Sequence, residues 1–432
     1  MVYTGLRGRP WNGAASPERT EDHAQKTDER PPREHDDAGA VAGGHHAGDH
    51  PGAGPCAALE ATGTASRRNR LLPAPLVLYL VVMLAYYAEV SVRENLGLLL
   101  EHLRARFGRE HVRRPADSAV SKARQRLGAA PLAWLFNEVA RPVGDAALAG
   151  CFWRKYRVVA ADGTVQDVQD TAENRERFGR HINQHGMVGY PQLKAVVLLE
   201  CGTRAPLACA LGRNDDYEPS LFDRIQPRLE GDMLMLADRA YYDFCRFKSC
   251  SERAGALLWR VKSTLRLAAE KRFEDGSFLA RIRPSKSLVA DGRSRKDESM
   301  IVRVIEYRPL FADGTEGDIV RLVTTLLDPG SAPADELAAL YAQRWHQETG
   351  FDELKTHLRG PHRVLRSQLP DLVEQEWYGF LLAYYVLRVT IAEAARREGC
   401  APRALSFVHA VHVVRRHLAF SPSDPGADER GL

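Results

Sequence analysis

The chain predicts an α/β fold. A mixed β-sheet core with helices on its faces is interrupted by a β-rich insertion and preceded by an all-helical N-terminal domain. Three observations carry this expectation. Residues 71–148 repeat apolar positions at helical spacing. Residues 152–263 alternate short β-prone runs with amphipathic stretches. Residues 264–332 alternate apolar and polar positions between the turn pairs Asp275-Gly276, Asp291-Gly292 and Asp313-Gly314.

Taken in order, residues 1–70 mix Gly, Ala, His, Asp, Glu and Arg with few large apolar side chains. Such a segment cannot bury enough surface to offset its ordering entropy, so it is expected to be a disordered low-complexity arm. Its histidines (His23, His35, His45, His46 and His50) follow from that composition rather than from a metal site. Helices are expected near 75–88, 91–106, 117–127 and 131–147, punctuated by Gly108, Pro115 and the stretch from Gly128 to Pro131. The apolar run Leu76 to Tyr87 is about twelve residues long, where a bilayer needs about twenty. With no signal-peptide core visible either, no membrane role is expected. Asp117-Ser118 is an N-cap candidate for a helix that places Lys122 and Arg126 at i, i+4. That pair suits DNA phosphate contact or groove entry, the plainer alternative being a solvated basic helix.

Strands are expected at 154–161, 190–200, 205–211, 232–237 and 256–261, with helices at 217–229 and 241–253. This order fits a ribonuclease H-like core. The helix that would complete it does not arrive until about Pro333 to Leu358. The core is therefore expected to comprise 149–263 and 333–398, with the insertion at 264–332 carrying strands near 300–307 and 319–326. A long apolar helix at 373–398 and a basic one at 406–418 should brace it, the region 399–432 ending in a disordered tail.

The chemistry concentrates on the late helix, where Tyr341, Arg344, Glu348 and Lys355 read Y-x2-R-x3-E-x6-K. At roughly 100° per residue the four fall within about 60° of one another. An acid flanked by two cations and a phenol can hold a metal beside phosphates. Alone, an Arg344–Glu348 pair is ordinarily a solvated ion pair. Two upstream acids change the weighing. Asp162 follows the β-prone run from Tyr156 to Ala161, and Asp238 follows the apolar run from Met233 to Ala237. Both are thus expected at the carboxyl ends of strands, where open α/β sheets place ligands, although an Asp before Gly163 can be a turn former only. Two strand-end aspartates and a helix glutamate, all hard oxygen donors, suit Mg²⁺. Asp352 is a reserve carboxylate by helical angle.

These residues resemble the DDE transposases of the IS4 insertion-sequence group, whose glutamate helix carries Y-x2-R-x3-E-x6-K. The resemblance runs from about Leu72 to His417. It includes Ala161-Asp162-Gly163-Thr164, Leu236-Ala237-Asp238-Arg239, the N-x3-F-G motif from Asn174 to Gly179, Tyr190-Pro191-Gln192 and Leu365-Arg366-Ser367. Gln347 stands where such proteins often carry an aliphatic residue. The resemblance implies an element-end-binding enzyme that cleaves and joins DNA. Asp162, Asp238 and Glu348 would be catalytic and metal-binding residues, and Tyr341, Arg344 and Lys355 would grip end phosphates. It also implies a core interrupted between Asp238 and Glu348, where the sequence gap is 110 residues against 76 between the aspartates.

Phosphodiester cutting by such a site calls for two Mg²⁺ ions, with Mn²⁺ as substitute. The partners expected are terminal inverted repeats, target DNA and a second copy of the chain in a paired-end complex. A net charge of only +4 over 432 residues means that basic residues act locally, as at Arg67-Arg68 with Arg70 and at Arg293 to Lys296. Seven cysteines at irregular spacing suit a reduced, cytoplasmic, nucleoid-associated protein. His181 and His185 share a helical spacing but lack metal-ligand partners. The alternatives are a ribonuclease H-like nuclease that only hydrolyses, an inactive DNA-binding relic, and a metal-free structural protein.

Overall fold

A computed structural model describes residues 2–4, 54–66, 68, 71–107, 115–183, 186–310, 314–360 and 363–419. After the short strand β1 (Val2–Thr4), the N-terminal region is helical: α1 (Pro55–Ala61), α2 (Ala74–Tyr86), α3 (Val92–Phe107), α4 (Asp117–Leu127) and α5 (Ala130–Val139). Ser91 and Glu94 form a reciprocal capping box at the start of α3. The Ser91 amide donates to Glu94 at 3.1 Å, and the Glu94 amide donates to the Ser91 hydroxyl at 3.2 Å. The expected arm ends earlier than residue 70, because Ala58 and Leu59 of α1 are buried in the helical core. The last expected helix is shorter than drawn from sequence, stopping at Val139 three residues before Pro142.

The strands β2 (Phe152–Trp153), β3 (Tyr156–Asp167), β4 (Arg180–Asn183), β5 (Gly186–Glu200), β6 (Pro206–Arg213), β7 (Met233–Ala237) and β8 (Ala256–Val261) follow. Between them lie α6 (Ala172–Phe178), α7 (Glu218–Ile225) and α8 (Phe244–Ser251). Then come β9 (Ala269–Arg272), β10 (Phe278–Ile282), α9 (Lys286–Ala290), β11 (Met300–Leu310) and β12 (Val320–Thr324). The sheet runs β4-β5-β3-β7-β8-β12-β11-β10-β9, with β1 on β11, β2 on β3 and β6 on β5. Among the described strands, β3–β7 and β7–β8 are the pairs that run parallel. The β-rich insertion is therefore no separate body. Its strand β12 pairs antiparallel with β8 and extends the same sheet.

Each sheet face has its own core. Val159, Ala161, Met235 and Ala237 pack with Phe222 of α7 and with Phe244 and Phe247 of α8. Val158, Ala160, Leu234 and Leu236 pack with Leu337, Leu340 and Tyr341 of α10 (Ala334–Tyr341). From α10 the chain continues through a tight 3₁₀ turn at Ala342–Trp345 into α11 (His346–Asp352), then a wider π-type stretch at Glu353–Leu358. The single regular helix expected from 333 to 358 is thus one run with two changes of winding.

The long helix α12 (Pro370–Glu398) packs on α2 and α5, and α13 (Phe407–Ala419) packs on α12. A Cβ at Gly379 would lie 2.9 Å from both Val81 Cγ1 and the Val81 carbonyl, so glycine lets α12 and α2 cross closely. Among the described residues no helix is long and apolar enough to cross a membrane.

Candidate active site

The two aspartates are brought together by the parallel pairing of β3 and β7. Ala160 pairs with Leu236. Asp162 and Asp238 each stand two residues farther on. Side chains alternate along a strand, so both aspartates are aimed to the face covered by α10. Asp238 follows the last residue of β7, as expected. Asp162 does not end its strand. β3 continues to Asp167 because β5 remains alongside it, pairing Asp162 with Val197 and Asp167 with Gln192. The strand end that matters is that of β7, which leaves Asp162 with an open flank. Both carboxylates are partly exposed. Each takes a local backbone donor: the Gly163 amide to Asp162 Oδ1 at 3.0 Å, and the Arg239 amide to Asp238 Oδ1 at 2.7 Å.

The helical run supplies the rest. Arg344 Nη1 lies 3.6 Å from Asp162 Oδ2, and Arg344 is only 9% exposed. Tyr341 is buried, and its hydroxyl donates to the Ala237 carbonyl at 3.3 Å, one residue before Asp238. Burial holds its phenol well above the ordinary tyrosine range; Arg344 counteracts this and Asp238 adds to it. The phenol thus gives its proton to the protein backbone, and its oxygen also meets Arg344. α11, whose backbone carries position 348, packs on β3. The side chain of Glu348 lies outside the described residues. Among the described residues no cluster of three or more His, Cys, Asp or Glu groups is assembled to hold a metal. Asp352, the reserve carboxylate, is exposed and lies 3.5 Å from His357.

Lys355 lies on the π-type stretch Glu353–Leu358. The 3₁₀ turn and the π-type stretch alter the helical phase between Tyr341 and Lys355, so an angle counted at 100° per residue does not carry through. The half-buried Lys355 has Arg359 and Asp167 as its charged neighbours. Its ammonium is held below the usual lysine range by burial and Arg359, against the opposing pull of Asp167. Asp167 is five residues beyond Asp162 on β3, a run of about 17 Å at about 3.3 Å per residue. Lys122 and Arg126 are exposed on α4 as expected, whereas Arg124 between them is buried, donating to Gln375 at 2.8 Å and Ser367 at 3.0 Å. His181 falls in β4 rather than on a helix, and His185 lies outside the described residues.

Two groups at the site have no counterpart in the sequence reading. Glu218, at the start of α7, reaches the opposite sheet face, where a Cβ on Gly163 would lie 2.3 Å from its carboxyl carbon. Tyr241 donates to Glu218, and its phenol is raised by burial, by Glu218 and then by Asp162 and Asp238. The only signal in the chain was a Glu-Pro helix start and a tyrosine three residues after Asp238. Behind the helix, Glu353 accepts from Arg204 at 2.6 Å and Tyr384 at 2.9 Å and also pairs with Arg388, locking the run to β5's following turn and α12.

Residues 56–137 match the family described as the insertion element 4 transposase N-terminal domain, and residues 153–386 match the transposase DDE domain. The chain is 28% identical over 365 residues to the transposase InsG for insertion sequence element IS4 of Escherichia coli K12, covering 83% of this chain and 79% of that protein. It is 26% identical over 216 residues to the putative transposase InsZ of the same organism, covering 50% and 69%. Among solved structures it is similar to a cryo-EM structure of the piggyBac transposase synaptic complex with hairpin DNA. That match has a TM-score of 0.42 and 10% identity over 84% of this chain and 75% of that one.

Proposed function

Because the chain belongs to the insertion element 4 group of DDE transposases, we propose that it binds the ends of an insertion element and performs Mg²⁺-dependent cleavage and strand transfer on DNA, in cut-and-paste fashion. The observation that carries this reading is the side-by-side placement of Asp162 and Asp238 on parallel strands, beneath the run that leads through Arg344 to Glu348. The core is read as ribonuclease H-like, entered at 149–263, resumed at 333–398, and interrupted by the sheet extension at 264–332.

The donor set suits a hard divalent ion: partly exposed carboxylates beside a guanidinium, at a strand end open to solvent. Asp162, Asp238 and Glu348 would hold two such ions, Mg²⁺ or Mn²⁺, which when bound supply activation of the attacking oxygen and stabilisation of the leaving one. Arg344, held against Asp162, offers a fork of donors to a phosphate entering that flank. Tyr341 fixes the end of β7, and through it the aim of Asp238. Lys355 meets a phosphate farther along β3. The domain at 71–148 presents Lys122 and Arg126 to the element end. Two copies would pair their ends before joining target DNA, in a cytoplasmic, nucleoid-associated setting.

The test incubates purified protein with the inverted repeats that flank its own coding sequence and Mg²⁺, and maps the product ends. Asp162→Asn, Asp238→Asn and Glu348→Gln should each abolish nicking while retaining end binding. Cleavage that survives all three refutes the site. Nicking without joining of precut ends would reduce the protein to a hydrolytic nuclease.

A further inference from the structure

The ladder that sets Asp162 beside Asp238 stops short of both. Its last parallel pair is Ala160 with Leu236. β3 stays anchored beyond that point because β5 continues alongside it to Asp167. The other segment leaves the sheet after Ala237 and turns back at once, with the Tyr241 amide donating to the Asp238 carbonyl at 3.1 Å. Whatever fixes that turn against β3 therefore fixes the separation of the two carboxylates.

On the sheet face away from α10, Glu218 touches both segments. Its carboxylate lies under Gly163, where a Cβ would come within 2.5 and 2.6 Å of its two oxygens. The same carboxylate accepts from the hydroxyl of Tyr241, at the end of the Asp238 turn. Tyr241 is 1% exposed, and its ring meets Phe222 of α7 edge-on with centroids 5.5 Å apart. A second tie runs beside the first. Buried Arg246 of α8 donates to the Tyr241 carbonyl at 2.9 Å and forks onto Asp223 of α7 at 2.6 and 2.8 Å. The Asp238 turn is thus held to the helix that carries Glu218, and Glu218 is wedged under the residue next to Asp162.

We infer that Glu218 is a positioning residue, whose hydrogen bond from Tyr241 sets the spacing of Asp162 and Asp238 for cation binding. This role presupposes the reading of those aspartates as ligands of a divalent ion. Glu218 is not itself such a ligand. Side chains alternate along β3, so Gly163 faces the side of the sheet opposite to Asp162. The spacing matters because two ions sharing carboxylates sit about 3.5–4 Å apart. A hydrogen bond to an ionised acceptor is roughly twice as strong as a neutral one, which suits it to hold a turn that has left its ladder.

The test titrates the full chain with Mn²⁺ in the absence of DNA, at a temperature where every variant is folded, and follows the free-ion signal by electron paramagnetic resonance. Tyr241→Phe keeps the ring and removes the donor; Glu218→Ala removes the acceptor. Each should weaken Mn²⁺ binding about tenfold, a usual cost of losing an outer partner of a metal site. The double variant should lose no more than either single one, since both break the same bond. Glu218→Gln still accepts from the phenol and should bind nearly as wild type does. The Mg²⁺ needed for half-maximal nicking should rise by the same factor in Tyr241→Phe, with the rate at saturating Mg²⁺ far less affected. Binding that Asp162→Asn weakens, but that Tyr241→Phe and Glu218→Ala leave unmoved, overturns the positioning role even if urea midpoints fall. Equal weakening by Glu218→Gln and Glu218→Ala with Tyr241→Phe unmoved also overturns it, because Glu218 would then act through its charge alone. Binding indifferent to Asp162→Asn removes the metal reading itself, and the positioning role with it.

Discussion

The hydroxyl of Tyr341 donates to the carbonyl of Ala237 at 3.3 Å, tying the helical run that leads to Glu348 to the strand end that presents Asp238. Two elements separated by about a hundred residues are registered by this one bond, beside the arginine that faces Asp162. Tyr341→Phe keeps the packing and removes the donor. It is expected to cost about 0.5–1.5 kcal/mol of stability, the net worth of an ordinary hydrogen bond. Single-turnover cleavage should fall further than end affinity, because the loss loosens the aim of Asp238 and removes no DNA contact. An equal loss of affinity and cleavage would return the phenol to the phosphate-gripping role that the sequence resemblance implied.

Gly163 marks the opposite face of the same strand. Its missing Cβ is what admits the Glu218 carboxylate, which would otherwise be 2.3 Å away. Gly163→Ala should destabilise the protein by about 1–3 kcal/mol through overpacking. The double variant Gly163→Ala, Glu218→Ala should recover part of that loss, a coupling read from chemical denaturation of the four proteins. Strictly additive costs would show that Glu218 is free to swing aside.

Much of this arrangement was legible in the chain. The run 233–237 is continuously apolar and 256–261 is apolar apart from Arg260, and they form strands at those positions because burial on both sheet faces demands it. β3 was drawn too short because Asp162-Gly163 looks like a stop, whereas pairing with β5 overrides the local turn signal. The wheel that grouped Lys355 with Tyr341 and Arg344 assumed one uniform winding. Winding changes at 342–345 and 353–358 come from how the run is held in tertiary contact, and no spacing rule carries them. Glu218 and Tyr241 were invisible because their significance lies in partners distant in sequence.

The cysteines give a chemical test of the same packing. Burial pushes the thiols of Cys151, Cys209 and Cys250 up to about 12, and that of Cys201 higher still. A thiol four pH units below its pKa is roughly one part in ten thousand thiolate, the reactive form. At pH 8 iodoacetamide should therefore label the exposed Cys56 first and the part-buried Cys245 and Cys400 more slowly. The other four should react only in denaturant. Mass-spectrometric mapping over time reads the order, and early labelling of Cys209 or Cys250 would contradict the sheet packing around them.

Glu353 supports the helical run from behind. Its carboxylate is the shared counter-charge for Arg204 at 2.6 Å and for Arg388, whose side chain is 1% exposed, and it also accepts from Tyr384 at 2.9 Å. Glu353→Gln preserves the shape and removes the charge, leaving two cations in a dry site. Breaking one partner of such a group costs about 3–5 kcal/mol, because the remaining charge stays buried without compensation. Urea unfolding should register a loss in that range. The combined variant Glu353→Gln, Arg388→Met should regain part of it by removing the more deeply buried cation. Because the network lies where the winding widens just after position 352, its failure should also reach the site. Cleavage by the single variant should fall at temperatures where the protein remains folded, while the Tyr341–Ala237 tether holds the other end of the run. A single variant as stable as wild type would mean that water enters the network and that Glu353 does not brace the helix.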